Sequence, residues 1–127
     1  MNYGHGYRNN KYRNRKTRGF DSAKEANRYN ELRLLERAGI IEGLRRQVHF
    51  ELTPTVREPG KTGPRGGSKP GRVILQKSEY VADFVYCQNG EIVVEDVKGY
   101  RGGEAYKLFV LKKKVLYDKT GILIKEV

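Results

Sequence analysis

Apolar positions along this chain fall into a few runs whose spacing changes from helical to alternating and back. Phe20-Asp21-Ser22-Ala23-Lys24-Glu25 opens a helix: Ser22 and Glu25 form a capping box, and Ala23, Ala26, Leu32, Leu34, Leu35 and Ala38 carry the periodicity to a stop at Gly39. Ile40 and Ile41 lead into Gln47-Val48-His49-Phe50-Glu51-Leu52, an alternating strand closed by Pro54. Val81-Ala82-Asp83-Phe84-Val85-Tyr86 and Ile92-Val93-Val94-Glu95-Asp96-Val97 are β-branched and aromatic runs separated by Gln88-Asn89-Gly90-Glu91. Asn-Gly at that place predicts a hairpin, because both residues accept the positive φ of a type I′ turn. Glu104 to Lys119 predicts a second helix with Leu108, Leu111 and Val115 as its apolar seam, and Ile122 to Val127 a final strand. The order is α-β-β-β-α-β. A helix joining the third and fourth strands suits a right-handed parallel crossover. The expected class is therefore α/β, a mixed central sheet flanked by helices.

The hairpin carries the chemistry. With Asn89 and Gly90 as the loop, facing residues have numbers summing to 179, and Asp83 lies across from Asp96. Alternation makes this a non-hydrogen-bonded pair, with Cβ atoms about 4.5–5.5 Å apart. Two carboxylates at that separation repel, and a shared divalent cation is the simplest reason for a fold to keep them. Lys98 lies two residues beyond Asp96 and projects from the same face. Val81, Val85 and Val94 are expected on that face too, which is more apolar than a solvated face of mixed charge. Two acids and a lysine on one patch suit a metal-dependent phosphodiester-cutting site.

Glu25 admits two readings. Its carboxylate could bond back to the Ser22 backbone as a cap, or it could face the sheet with Tyr29 and Leu32, which share its helical stripe.

Charge identifies the partner. The 127 residues hold 26 Lys and Arg against 15 Asp and Glu, a net charge of +11, which points to a polyanion and above all to nucleic acid. Residues 1–19 form an expected flexible arm in which Arg13, Arg15, Lys16 and Arg18 alternate with tyrosines and no acid occurs. Residues 20–127 form one domain, interrupted by a basic Gly/Pro-rich loop at 57–72 that includes Lys61, Arg65 and Lys69. Lys112 and Lys113 add a basic flank to the second helix. A membrane partner is disfavoured: no segment approaches 18 consecutive apolar residues, and Met1 to Gly19 does not read as a signal peptide. A single cysteine, Cys87, excludes an intrachain disulfide and suits a reducing cytoplasm. His5 and His49 have no ligand-spaced partners, so neither supports a zinc site.

An acid on the first helix, an Asp on one hairpin strand and Asp-X-Lys on the next resemble the PD-(D/E)XK nuclease superfamily. Asp83 and Asp96-Val97-Lys98 match its core motif, and Glu25 its helical acid. The resemblance is closer to a small phage-encoded branch in which segments like Phe20-Asp-Ser-Ala-Lys-Glu-Ala-Asn-Arg-Tyr, Ala82-Asp-Phe-Val-Tyr and Val94-Glu-Asp-Val-Lys-Gly recur. Ala82 replaces the proline of the superfamily name, and Glu95 offers an alternative carboxylate on the face opposite Lys98. The resemblance implies a restriction-endonuclease-like core and a metal-dependent endonuclease cutting DNA, one selective for branched structures such as Holliday junctions. It further implies a homodimer working in the cytoplasm of an infected bacterial host. Glu25, Asp83, Asp96 and Lys98 would be catalytic, and Asp83, Asp96 and the Val97 main-chain carbonyl would hold Mg²⁺ or Mn²⁺. A duplex-nicking or repair nuclease, and a non-catalytic nucleic-acid-binding protein, are the alternatives.

Overall fold

The computed structural model describes residues 19–127. The basic arm, with Arg13, Arg15, Lys16 and Arg18, lies outside the described residues. The first helix, α1 (Ala23–Arg37), starts from Ser22, whose hydroxyl accepts from the Glu25 amide at 3.1 Å. It ends in a Schellman motif: Gly39, at φ +76°, and Ile40 donate their amides to the Glu36 and Leu35 carbonyls. The long strands β1 (Glu42–Thr53) and β6 (Ser78–Gln88) pair antiparallel, β6 pairs antiparallel with β7 (Glu91–Asp96), and β7 pairs parallel with β8 (Lys125–Glu126). The result is a mixed four-stranded sheet in the order β1-β6-β7-β8. The second helix, α2 (Gly103–Thr120), makes the parallel crossover from β7 to β8.

The hairpin register is the expected one, with Phe84 opposite Glu95 and Val85 opposite Val94. Asn89 and Gly90 both take positive φ, at 53° and 79°. Three other expectations need correction. The loop at 57–72 is an antiparallel ribbon that prolongs β1 and β6: β2 (Val56–Arg57) pairs with β5 (Val73–Leu75), and β3 (Lys61–Thr62) with β4 (Ser68–Lys69). Strands of two and three residues, separated by prolines, give too short an alternation to be read from the chain. The seam of α2 is rotated: Leu108 and Leu111 are exposed, and Phe109 and Leu116 are buried against the sheet. The final strand, expected over 122–127, is shortened to Lys125–Glu126, preceded by the buried Ile124.

The core has two halves. Phe20, Ala26, Leu32, Ile41, Phe84 and Tyr86 gather beneath α1, while Leu52, Tyr80, Ala82, Val85, Val94, Phe109, Leu116 and Ile124 gather beneath α2. Tyr80 and Ala82 thus pack with α2, whereas Phe84 and Tyr86, of the same parity, pack with α1. On β1, Leu44 packs in the α1 half while Val48 and Phe50 pack in the α2 half. Period-two alternation would keep each set on one side. The inversion falls between these sets, where Gln47 takes φ +51°, a left-handed conformation uncommon outside glycine. Asp83 is the residue that the β1–β6 register places opposite Gln47.

Candidate active site

Asp83 therefore sits where the paired strands turn over, and its environment is shared between both halves of the molecule. One carboxylate oxygen accepts the Val97 amide at 2.8 Å, and the other takes a long contact, 3.4 Å, from the Gln47 side-chain amide. Burial pushes the Asp83 carboxyl up to about 6; the Val97 amide opposes this and the neighbouring Asp96 charge adds to it.

Asp96 is buried beneath α2. Its Oδ1 accepts the Tyr80 hydroxyl at 2.9 Å, and its Oδ2 pairs with Lys98 Nζ at 2.5 Å. Burial, followed by the Asp96 charge, drives the Tyr80 hydroxyl far above its ordinary range, so Tyr80 acts as a proton donor in a hydrogen bond and not as an acid. The Lys98 ammonium rests 3.4 Å above the centroid of Phe109, a cation–π contact made in addition to the pair with Asp96. Lys98 is also held through its backbone: its amide donates to the Val127 carbonyl at 2.9 Å, and the Val127 amide donates to the Asp96 carbonyl at 3.0 Å.

Glu25 completes the group from α1. The Ser22 half of the capping box forms, but the Glu25 carboxylate leaves Ser22 and turns inward, where the residue is 4% exposed. Its nearest cation is Arg46, at 4.0 Å, and Glu25 Oε2 has no hydrogen-bond partner among the described residues. Burial, then the Asp83 and Asp21 charges, raise its carboxyl to about 7, with Arg46 opposing and Asp96 adding a further push. Arg46 Nε is buried and also has no hydrogen-bond partner among the described residues, and the guanidinium lies 3.7 Å from the Phe20 ring centroid. Two orphaned polar atoms beside coupled carboxylates are uncommon in a fold that has only stability to serve.

The fold thus draws Glu25, Asp83, Asp96 and Lys98 together from α1, β6, β7 and the segment after β7. Val81 does not join them, being exposed, whereas Val85 and Val94 are buried alongside as expected. Among the described residues, no three of His, Cys, Asp and Glu converge closely enough to hold a metal ion on their own. Glu95 lies on the opposite face, as alternation requires. Arg28 grips it with two bonds, at 2.8 and 2.6 Å, and the Tyr86 hydroxyl adds a third at 2.5 Å. Lys61, Arg65 and Lys69 lie exposed on the ribbon. Lys113 is engaged within the fold by Glu126 at 2.8 Å, and Lys112 is half-buried.

A family model described as a protein of unknown function, DUF1064, matches residues 5–120. The chain belongs to that family. No curated protein and no solved structure matches it.

Three contributors escaped the reading of the sequence. Tyr80 could be found only by knowing that the strands invert, because alternation puts it with Ala82 and Phe84 on the face opposite Asp83. Gln47 and Arg46 could not, because nothing in Arg45-Arg46-Gln47-Val48 announces that the strand inverts there.

Proposed function

We propose that this protein is a metal-dependent DNA endonuclease with a restriction-endonuclease-like core of the PD-(D/E)XK type, selective for branched DNA such as Holliday junctions. The observation that carries this reading is Glu25: a carboxylate with one oxygen unpartnered among the described residues, its carboxyl raised first by burial and then by the charge of Asp83. Such an arrangement is costly when empty and is relieved by a cation.

The donor set suits Mg²⁺ or Mn²⁺, hard ions that take carboxylate and carbonyl oxygens and leave positions for water and phosphate. Asp83, Asp96 and the Val97 main-chain carbonyl would hold the ion, with Glu25 reaching it directly or through water. Bound there, the metal supplies charge stabilisation at the scissile phosphate and a more acidic water. Lys98, held by Asp96 and by the Phe109 ring, would orient a water and offset negative charge at phosphorus. Tyr80 positions Asp96 by its hydroxyl.

A second reading, a non-catalytic nucleic-acid-binding protein, draws on the partners Asp96 already has in Lys98 and Tyr80. Incubation with Mg²⁺ or Mn²⁺ on a four-way junction, linear duplex and single strand separates the readings. Paired symmetrical nicks in the junction alone are expected, the product of a homodimeric resolvase acting in a phage-infected cell. Nicks in duplex would instead indicate a nicking or repair nuclease. No cleavage of any substrate with either metal would favour the binder.

A further inference from the structure

We infer that the ribbon formed by residues 54–77 is a duplex-gripping arm that lies along a groove of double-stranded DNA. The inference rests on the reading of the partner as DNA and not on cleavage.

The ribbon carries Arg57, Lys61, Arg65, Lys69, Arg72 and Lys77 against one acid, Glu58. Arg72 pairs with Glu58 at 2.8 Å and Lys77 with Glu79 at 3.0 Å, but Lys61, Arg65 and Lys69 have no ion-pair partner among the described residues. Lys61 and Lys69 face each other directly across the ladder. Like charges in that position destabilise a ribbon unless an anion lies between them. Arg65 lies in the turn between β3 and β4, so three cations cluster around the far end.

The ribbon is also stiffened and narrowed. All four prolines of the chain, Pro54, Pro59, Pro64 and Pro70, lie on it, fixing φ and withholding donors along its edges. A side chain at Gly71 would strike the Glu58 carbonyl, and one at Gly60 would meet the Lys69 carbonyl at 2.9 Å, so glycine lets the two backbones close up. Two strands about 4.8 Å apart enter a major groove about 12 Å wide. The occupant is duplex because residues 54–77 contain no aromatic side chain on which an unpaired base could stack. The ribbon leaves the sheet at Ser78, five residues from Asp83, or about 17 Å along the strand. The gripped duplex therefore flanks the carboxylates and does not cover them.

The test is metal-free binding, so that cutting does not intervene. Lys61→Gln/Arg65→Gln/Lys69→Gln is titrated by fluorescence anisotropy against a duplex of about 20 base pairs and a single strand of equal length, at several salt concentrations. Duplex affinity should fall about 10–100-fold and the logarithmic salt slope should shrink by about 2–3, with single-strand affinity unchanged. Lys61→Arg/Lys69→Arg should bind as wild type. Should the triple variant fail to fold, Arg65→Gln alone must still weaken duplex binding and lower the slope by about 1. Unchanged duplex affinity and slope, equal loss on duplex and single strand, or displacement of duplex by anionic lipid vesicles would each overturn the assignment. The nuclease reading is judged separately, by wild-type cleavage with Mg²⁺.

Discussion

Two buried carboxylates on the α1 side of the molecule, Glu95 of β7 and Glu25 of α1, meet opposite fates. Glu95, beneath α1, has every oxygen bonded: burial works to raise its carboxyl, but Arg28 and Tyr86 outweigh this and hold it below the usual range. Glu25, on α1 itself, has one oxygen with no hydrogen-bond partner among the described residues, and its carboxyl is pushed upward, as is that of Asp83. One helix thus supplies both the Arg28 that closes the pair with Glu95 and the Glu25 whose charge its surroundings leave unbalanced. The contrast separates an acid whose charge the fold has neutralised from an acid whose charge it leaves unbalanced. Burial alone does not distinguish them, since both lie in the core. What distinguishes them is whether the surroundings have already satisfied the charge.

The comparison can be broken by removing one member of each group. Asp83→Ala, and likewise Asp96→Asn, should abolish cleavage, a loss of at least about 10²–10³-fold, with DNA binding intact or improved. Wild-type cutting by either purified variant would show that the unbalanced cluster is not the site. Arg28→Ala addresses the balanced side: it strands Glu95 and should destabilise the fold by about 3–5 kcal/mol, read from urea unfolding. Substrate preference should be unaltered wherever the variant remains folded, and a change in preference would dissolve the distinction.

Titration sharpens the picture further. Glu25 and Asp83 ionise in the unfolded chain near 4.5 and 3.8, but in the fold only near 7 and 6. Between those limits the native state holds the extra protons, so stability falls as pH rises through the window and the full penalty is present above pH 7. Glu25→Gln should therefore raise metal-free stability at pH 8 by about 1–2 kcal/mol while leaving pH 5 nearly unchanged, as thermal unfolding at both values would reveal. Equal effects at the two pH values would mean that Glu25 carries no such burden. Mg²⁺ should raise the pH 8 melting temperature of wild type and not of Asp83→Ala. The smallest effect is expected for Tyr80→Phe, about 1 kcal/mol from the lost hydrogen bond to Asp96, with a modest drop in turnover.

How much of this was legible in the chain varied with how local the determinant was. The hairpin register followed from Asn89-Gly90, because a two-residue turn fixes every pair behind it. Ser22 announced the start of α1, but the destination of the Glu25 side chain depended on what α1 packs against, which no neighbour in sequence records. The seam of α2 was misread because Leu108, Phe109, Val110 and Leu111 are consecutive apolar residues: periodicity fits either side, and the sheet selects Phe109. The inversion at Gln47 was invisible, since glutamine gives no sign of the left-handed conformation that it takes there.

The segment from α2 to Val127 deserves to be seen as a latch. It swings across the open side of β7, and the two backbone bonds of Val127 catch the stretch on which Lys98 is mounted. Lift the latch, by a deletion from Ile124 onward or a bulky fusion that pries β8 away, and the ammonium loses its seat although every acid remains in place.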